Sequence, residues 1–256
     1  MTPEFGSPRT AIVTGGGRRI GAAFVRALAA DGWATLIHCH QSRADADALA
    51  AELPGARVVQ ADLGAPEGAD TILAALEGMP LPGLLVNSAS RFELDQFDDF
   101  TVDSWDRHFL ANLRGPALLT RGFAAHVPDG QGALIVNMLD AKLVQPNPDF
   151  FTYTLSKFGL AALTELSARV LAARAIRVCA IAPSITLVSG KQTRDNFDEV
   201  HTLNALGRGV TVDDLVAALR YLIASPRITG EVLRVDAGQR FLGLPRDIQF
   251  LDEGSR

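Results

Sequence analysis

The sequence comprises 256 residues with a formal charge of −5, 48% apolar residues and 21% charged ones. A chain of this length and composition buries a large core, which excludes a disordered chain, a collagen-like repeat and a coiled coil. The acidic balance offers no general attraction to nucleic acid or anionic lipid, so any anion site must come from local geometry. Cys39 and Cys179 both lie in apolar, strand-like runs, as expected of reduced thiols in a cytoplasmic protein. The first ten residues lack the basic start and apolar stretch of a secretory leader, and no later run reaches the length of a membrane span. Glu4-Phe5-Gly6-Ser7 reads as a cloning remnant foreign to the fold, and residues 1–9 are expected to be flexible.

In chain order, short β-branched runs alternate with amphipathic stretches. A run at 11–13 leads through a Gly-rich turn into a helical pattern at 18–30; runs at 34–38 and 57–60 flank a helix at 44–53. A helix at 66–76 precedes a run at 84–86, and a long helical pattern at 102–125 precedes one at 133–137. Helices at 152–173 and 212–224 are followed by runs at 176–181 and 231–235. Brevity and continuous apolarity are what strands buried on both faces require. The alternation specifies an α/β fold, a single-domain, doubly wound (Rossmann) seven-stranded parallel sheet with helices on both faces. No fixed-period repeat or linker divides the chain, so residues 1–256 are expected to form one domain. The polar segment 186–209 follows the sixth strand, where it is either a flap over a ligand or an ordinary surface loop.

The first strand runs into Thr14-Gly15-Gly16-Gly17-Arg18-Arg19-Ile20-Gly21, with a helix directly after. Glycines there let the backbone turn tightly and approach a pyrophosphate, whose charge suits the unpaired N–H groups of a helix start. Asp62-Leu63 after the third strand places a carboxylate where an adenine amino group could donate to it. The second strand ends His38-Cys39-His40-Gln41-Ser42-Arg43, without the acid that would hold an NAD ribose and repel a 2′-phosphate. Arg18, His40, Ser42 and Arg43 supply donors and positive charge, which suits NADPH, and His38 is expected beside the cofactor. His38 and His40 share one side of the strand and Cys39 the other, a poor arrangement for a metal, and no metal is expected.

Tyr153 and Lys157, four residues apart at the start of a helix, share a face. A nearby ammonium would favour the phenolate and bring the tyrosine nearer to acid–base use at neutral pH. With Thr14-Gly15…Gly21, Asn87-Ser88-Ala89-Ser90, the helical Asn112, Ala182-Pro183-Ser184 and Val235-Asp236-Ala237-Gly238 in order, the chain resembles the short-chain dehydrogenase/reductases over essentially its full length. The resemblance implies that Tyr153 is the proton donor, Lys157 supports it, and Asn112 carries a water-linked proton path. It further implies cofactor contacts at Gly15, Arg18, Arg19, Ile20, Gly21, Asp62, Leu63, Asn87, Ser88, Ala89, Ser90, Met138, Tyr153, Lys157, Pro183 and Ser184.

Two departures point to one branch. Arg19 stands where most members have a second fingerprint glycine, and Asp140, thirteen residues before Tyr153, stands where most have a catalytic serine. With Asn137-Met138-Leu139-Asp140 and Ser90-Arg91-Phe92, these resemble the pteridine reductases and bacterial dihydromonapterin reductases. An ionised carboxylate cannot donate a hydrogen bond to a ketone oxygen as a serine does. Reducing a pterin C=N bond instead needs a proton delivered to nitrogen, work for a carboxylic acid or an acid-activated water. The resemblance places Arg19, Ser90, Phe92, Asp140 and Tyr153 against the substrate, with Phe92 clamping a flat pterin against the nicotinamide. Phe92 is otherwise a core aromatic, and Asp140 otherwise a turn carboxylate ending the fifth strand. The expected function is NADPH-dependent reduction of a dihydromonapterin- or dihydrobiopterin-like pterin. The alternatives are a generic carbonyl reductase acting on a ketone or quinone and a non-catalytic NADPH-binding protein. The resemblance also implies a homo-oligomer, a tetramer, with contacts through the helices carrying Asn112 and Tyr153. The tail 243–256 either packs on a neighbour's active site or frays.

Overall fold

The computed structural model describes residues 8–190 and 192–251. The leading segment singled out above, up to residue 7, and the last five residues of the tail lie outside the described residues. The strands are β1 (Thr10–Val13), β2 (Ala34–Cys39), β3 (Ala56–Gln60), β4 (Pro82–Asn87), β5 (Ala133–Met138), β6 (Ile176–Pro183) and β7 (Val232–Val235). They form one parallel sheet in the order β3-β2-β1-β4-β5-β6-β7. The helices are α1 (Arg19–Ala30), α2 (Arg43–Ala51), α3 (Gly68–Ala74), α4 (Val102–Phe109), α5 (Gly115–His126), α6 (Phe151–Leu171), α7 (Arg194–Val200) and α8 (Val212–Ala224). No helix among the described residues is long and apolar enough to cross a membrane.

The period-2 alternation of each strand divides the core into two layers. Ala11 and Val13 of β1, Leu84 and Val86 of β4 and Leu134 and Val136 of β5 pack with Phe24 and Leu28 of α1 and Leu215, Leu219 and Leu222 of α8. The intervening Ile12, Leu85 and Ile135 pack with Ile72 of α3 and Leu119 and Phe123 of α5. Strand order reverses between β1 and β4, which opens a crevice at the carboxyl ends of those strands, the place where doubly wound sheets take ligands.

One element differs from expectation, and the segment after β6 gains definition. The single helix expected at 102–125 is α4 and α5 joined by a π-helical segment, Leu110–Arg114. Pro116 has no N–H to offer the Asn112 carbonyl, so the hydrogen-bond ladder changes register there. The irregular segment after β6 contains α7, started by Thr193, whose hydroxyl accepts from Asn196 N at 3.2 Å. Val200 of that helix shares a small core with Ile248 and Leu251 near the end of the chain, flanked by Ile185, Leu203 and Leu244.

Candidate active site

A cleft of about 560 Å³ lies at the carboxyl edge of the sheet. Gly15, Arg18, Arg19, Ile20 and Gly21 form its wall after β1, and His38, His40 and Ser42 its wall after β2. Ser88, Ala89, Ser90 and Phe92 follow β4, while Met138 and Asp140 follow β5. Tyr153 and Lys157 on α6, with Pro183 and Ser184 at the end of β6, complete the inner surface. A smaller hollow of about 290 Å³ continues past His38 and His40 to Asp62 and Leu63. The structure thus brings most of the expected residues to one groove.

The glycine turn is held from both sides. A methyl on Gly15, whose φ is +64°, would reach Ala89 Cα at 3.0 Å, and one on Gly21 would meet the Gly15 carbonyl oxygen at 2.2 Å. Arg19 adopts φ +55°, a left-handed conformation that glycine occupies more readily. Its guanidinium does not lie free beside the turn; it donates to the Val188 carbonyl at 2.8 Å and links the turn to the segment after β6.

His38 lines the cleft and is itself held by two backbone groups. Its Nδ1 accepts from Gly15 N at 3.2 Å, and its Nε2 faces the Ala61 carbonyl at 3.0 Å, so the Nε2–H tautomer satisfies both contacts. Burial lowers its pKa to about 4, leaving a neutral ring that ties the turn to β2 and β3. Arg43 is likewise turned away, its Nε donating to both Asp47 carboxylate oxygens at 2.8 Å. Arg18 pairs with Asp45 at 3.5 Å and His40 stands 4.0 Å from Asp62, both pairs solvent-exposed and hence weak. The Ser42 hydroxyl makes no capping bond to α2. Asp62 Oδ1 accepts from Gly64 N at 2.8 Å.

At the centre, Tyr153 Oη donates to Asp140 Oδ2 at 3.0 Å, while Asp140 Oδ1 accepts from Lys142 N at 2.8 Å. Lys157 Nζ donates to the Met138 carbonyl at 2.8 Å and lies 5.6 Å from the Tyr153 ring centroid. The ammonium does not lower the phenol pKa as the spacing suggested. Burial first and the Asp140 charge second push Tyr153 well above its ordinary value, because both favour the uncharged phenol. Burial also lowers Lys157, to about 8, against the pull of Asp140. The constellation is therefore a neutral phenol that keeps its proton and is hydrogen-bonded to a carboxyl group.

Phe92 stacks on Phe150 with centroids 4.1 Å apart and meets the edge of Tyr153 at 4.7 Å. It is half-buried and lines the cleft. Asn112 and Asn87 do not line the groove. Asn112 is buried, its Oδ1 accepting from Arg91 N at 2.8 Å and its Nδ2 donating to the Arg91 carbonyl and Ser156 Oγ at 3.0 Å. It clamps the loop after β4 onto α6. Asn87 Nδ2 donates to Asn137 Oδ1 at 2.8 Å between β4 and β5, beneath the cleft floor. The Asn112 amide is satisfied in the interior, whereas Asn87 Oδ1 is buried without a hydrogen-bond partner.

Sequence reasoning missed the outer end of the cleft, formed by Lys142, Gln145, Asn147, Asp247, Ile248 and Gln249. The described tail, 243–251, docks on its own chain. Asp149 accepts from Arg246 Nε at 2.8 and 3.0 Å and from Asp247 N at 2.7 Å. Lys142 Nζ donates to the Asp149 carbonyl and stands 3.8 Å from Asp247. The one available signal was Pro245-Arg246-Asp247, a turn-like basic–acidic pair ahead of the apolar Ile248, Phe250 and Leu251. Among the described residues no group of three or more His, Cys, Asp or Glu side chains could hold a metal ion.

A family model for the short chain dehydrogenases matches residues 9–199. The L-xylulose reductase of Homo sapiens is 32% identical over 240 residues, covering 90% of this chain and 96% of that protein. The probable galactose dehydrogenase GalD of Rhizobium meliloti is 30% identical over 244 residues, covering 90% and 94%. Among solved structures, FolM alternative dihydrofolate reductase 1 from Brucella canis, complexed with NADP, is 36% identical with a TM-score of 0.89, covering 93% of this chain and 96% of that one. A blue fluorescent protein from a metagenomic library, in complex with NADPH, is 29% identical with a TM-score of 0.83, covering 90% and 97%.

Proposed function

This chain belongs to the short-chain dehydrogenase family and is an oxidoreductase, and from that premise we propose that it is an NADPH-dependent pterin reductase acting on a ring C=N bond. The observation that carries the reading is the 3.0 Å hydrogen bond from the Tyr153 phenol to Asp140, a carboxylate where a carbonyl reductase of this family would present a serine hydroxyl. Its likeness to the Brucella canis FolM alternative dihydrofolate reductase supports the same substrate class.

The groove fits a 2′-phosphorylated dinucleotide. The turn has no side chain at Gly15 or Gly21 to block close approach, no acid ends β2, and Arg18, His40 and Ser42 face the place where the phosphate would sit. When bound, NADPH supplies the hydride. Lys157, anchored on the Met138 carbonyl, holds a positive charge beside the phenol. Tyr153, neutral and buried, retains the proton to be delivered, and Asp140 orients the phenol through Oδ2 while its Oδ1 is fixed by the Lys142 amide. Asn112 keeps the loop bearing Ser90 and Phe92 against α6, so that Phe92 presents its ring beside Tyr153. A flat heterocycle stacked there lies within reach of the acid pair.

Carbonyl reduction is the second reading, favoured by the identity with L-xylulose reductases. The two are separated by following NADPH oxidation with dihydromonapterin and dihydrobiopterin against a panel of ketones and quinones. Pterin turnover that vanishes in Asp140→Ala is expected. Preference for ketones, unchanged in Asp140→Ala, would replace the proposal with the second reading, and cofactor binding without oxidation on either panel would reject both. The same reading has the chain assemble as a homotetramer through α4, α5 and α6, whose outward side chains include Val102, Leu166 and Val170; light scattering on the purified protein decides this.

A further inference from the structure

The outer end of the cleft holds a lysine and a carboxylate that the reaction above does not use. Lys142 sits in the 3-10 turn Ala141–Leu143, directly after Asp140. Its main-chain N–H is the group that fixes Asp140 Oδ1 and leaves Oδ2 for the Tyr153 phenol. Its ammonium, almost wholly buried, is drawn the other way, hydrogen-bonded to the Asp149 carbonyl, 3.8 Å from the Asp247 carboxylate and 5.5 Å from the Phe150 ring centroid. The turn has few ties of its own: Leu143 N and Val144 N donate to the Asp140 and Ala141 carbonyls at 3.2 Å each. One end of Lys142 therefore aims the carboxylate while the other is fastened to the C-terminal segment, which Asp149 holds through Arg246 and the Asp247 amide.

We propose that Lys142 and Asp247 are positioning residues for the Asp140–Tyr153 pair, and that the C-terminal segment completes the active site by supplying Asp247. The inference rests on Tyr153 and Asp140 forming the proton-delivery pair, but it does not depend on a pterin being the substrate. A lysine at this depth is costly without a partner, and a buried carboxylate equally so; each is the other's compensation. Asp247 faces Lys142 from the 3-10 turn, Asp140 from the end of β5 and Tyr153 from α6. Lys142 in turn faces Asp247, Asp140 and Asp149, and Lys157 on α6 faces Asp140. Both members thus act on the acid pair by charge as well as by geometry. Burial raises the Asp247 pKa and lowers that of Lys142, consistent with a pair held away from bulk water.

The test needs no substrate. The chain has two tyrosines, Tyr153 and the exposed Tyr221, so Tyr221→Phe leaves one phenol, whose ionisation is followed by NMR of ring-labelled tyrosine up to the pH at which the fold melts. Removing the negative charge in Asp247→Asn is expected to lower the pH at which Tyr153 ionises, and removing the positive one in Lys142→Met to raise it. Lys142→Arg, which keeps the charge, tracks the parent. In turnover, with a pterin or a ketone, the alkaline limb of the rate profile moves in the same order. kcat falls by about tenfold in Asp247→Asn, within the ~100-fold that a displacement of an ångström can cost, while the KM for NADPH is unchanged. Superimposed titrations for Asp247→Asn and Lys142→Met, or shifts of the same sign, would overturn the proposal, since a purely structural role lowers melting temperature without opposite shifts. If turnover with pterins fails but the phenol shifts diverge as stated, the substrate reading falls and the positioning role stands.

Discussion

Replacing His38 tests whether the glycine turn is held by a neutral ring. In the folded protein the imidazole accepts from Gly15 N–H and donates to the Ala61 carbonyl, and burial lowers its pKa to about 4 from the ordinary 6.5. The unfolded chain therefore takes up a proton first as pH falls. The stabilisation is complete above pH 6.5, is lost progressively below it, and levels off under about pH 4. The whole interval corresponds to about 3 kcal/mol, of which about 2 kcal/mol is lost between pH 7 and pH 5. His38→Asn cannot titrate. Urea unfolding at pH 7 is expected to show the variant less stable by about 1–3 kcal/mol, the cost of a buried partner lost, and at pH 5 the difference from the parent is expected to shrink by about 2 kcal/mol. Carboxylates that titrate at lower pH affect both proteins alike, so the difference isolates the ring. Parallel stability curves from pH 7 to pH 5 would refute the neutral, bridging histidine.

Gly21→Ala sets a methyl against the Gly15 carbonyl oxygen at 2.2 Å, so NADPH affinity by calorimetry is expected to fall steeply while far-UV circular dichroism is retained. Tyr153→Phe removes the group that donates to Asp140 at 3.0 Å; a loss of roughly 100- to 10,000-fold in kcat is expected in stopped-flow NADPH oxidation, with NADPH binding intact. Asp140→Ser restores a neutral donor, and ketone turnover is expected to rise as pterin turnover falls, measured on one substrate panel. Asp149→Ala strips the tail of its anchor on Arg246 and the Asp247 amide; with Arg246 half exposed, the expected cost is about 1–2 kcal/mol, together with faster proteolytic nicking at 243–251.

The sheet and its two helical layers were legible because a strand buried on both faces, such as 133–138, leaves a short apolar run that no amphipathic helix imitates. Spacing put Tyr153 and Lys157 on one helix face, but it was the resemblance to the short-chain dehydrogenases that singled them out and drew attention to Asp140 at the end of the fifth strand. His38 was not, because a histidine at a strand end reads the same in sequence whether it faces solvent or, as here, bridges two backbone groups. The tail was not legible either: Asp247 meets Lys142 across more than one hundred residues, and no local pattern encodes such a pairing. The break between α4 and α5 had a local cause in Pro116, but hydrophobic periodicity runs through it undisturbed, since a π-turn inserts one residue without reversing the buried face.

The apolar contact among Val200, Ile248 and Leu251 unites the segment after β6 with the C-terminal segment. Lifting either alone would strip the other of its partners and wet a small dry seam, while the cleft stayed half obstructed. Partial opening is thus the unfavourable state, and admission and release are expected to be all-or-none events of a single hatch, slow enough to compete with chemistry for control of turnover.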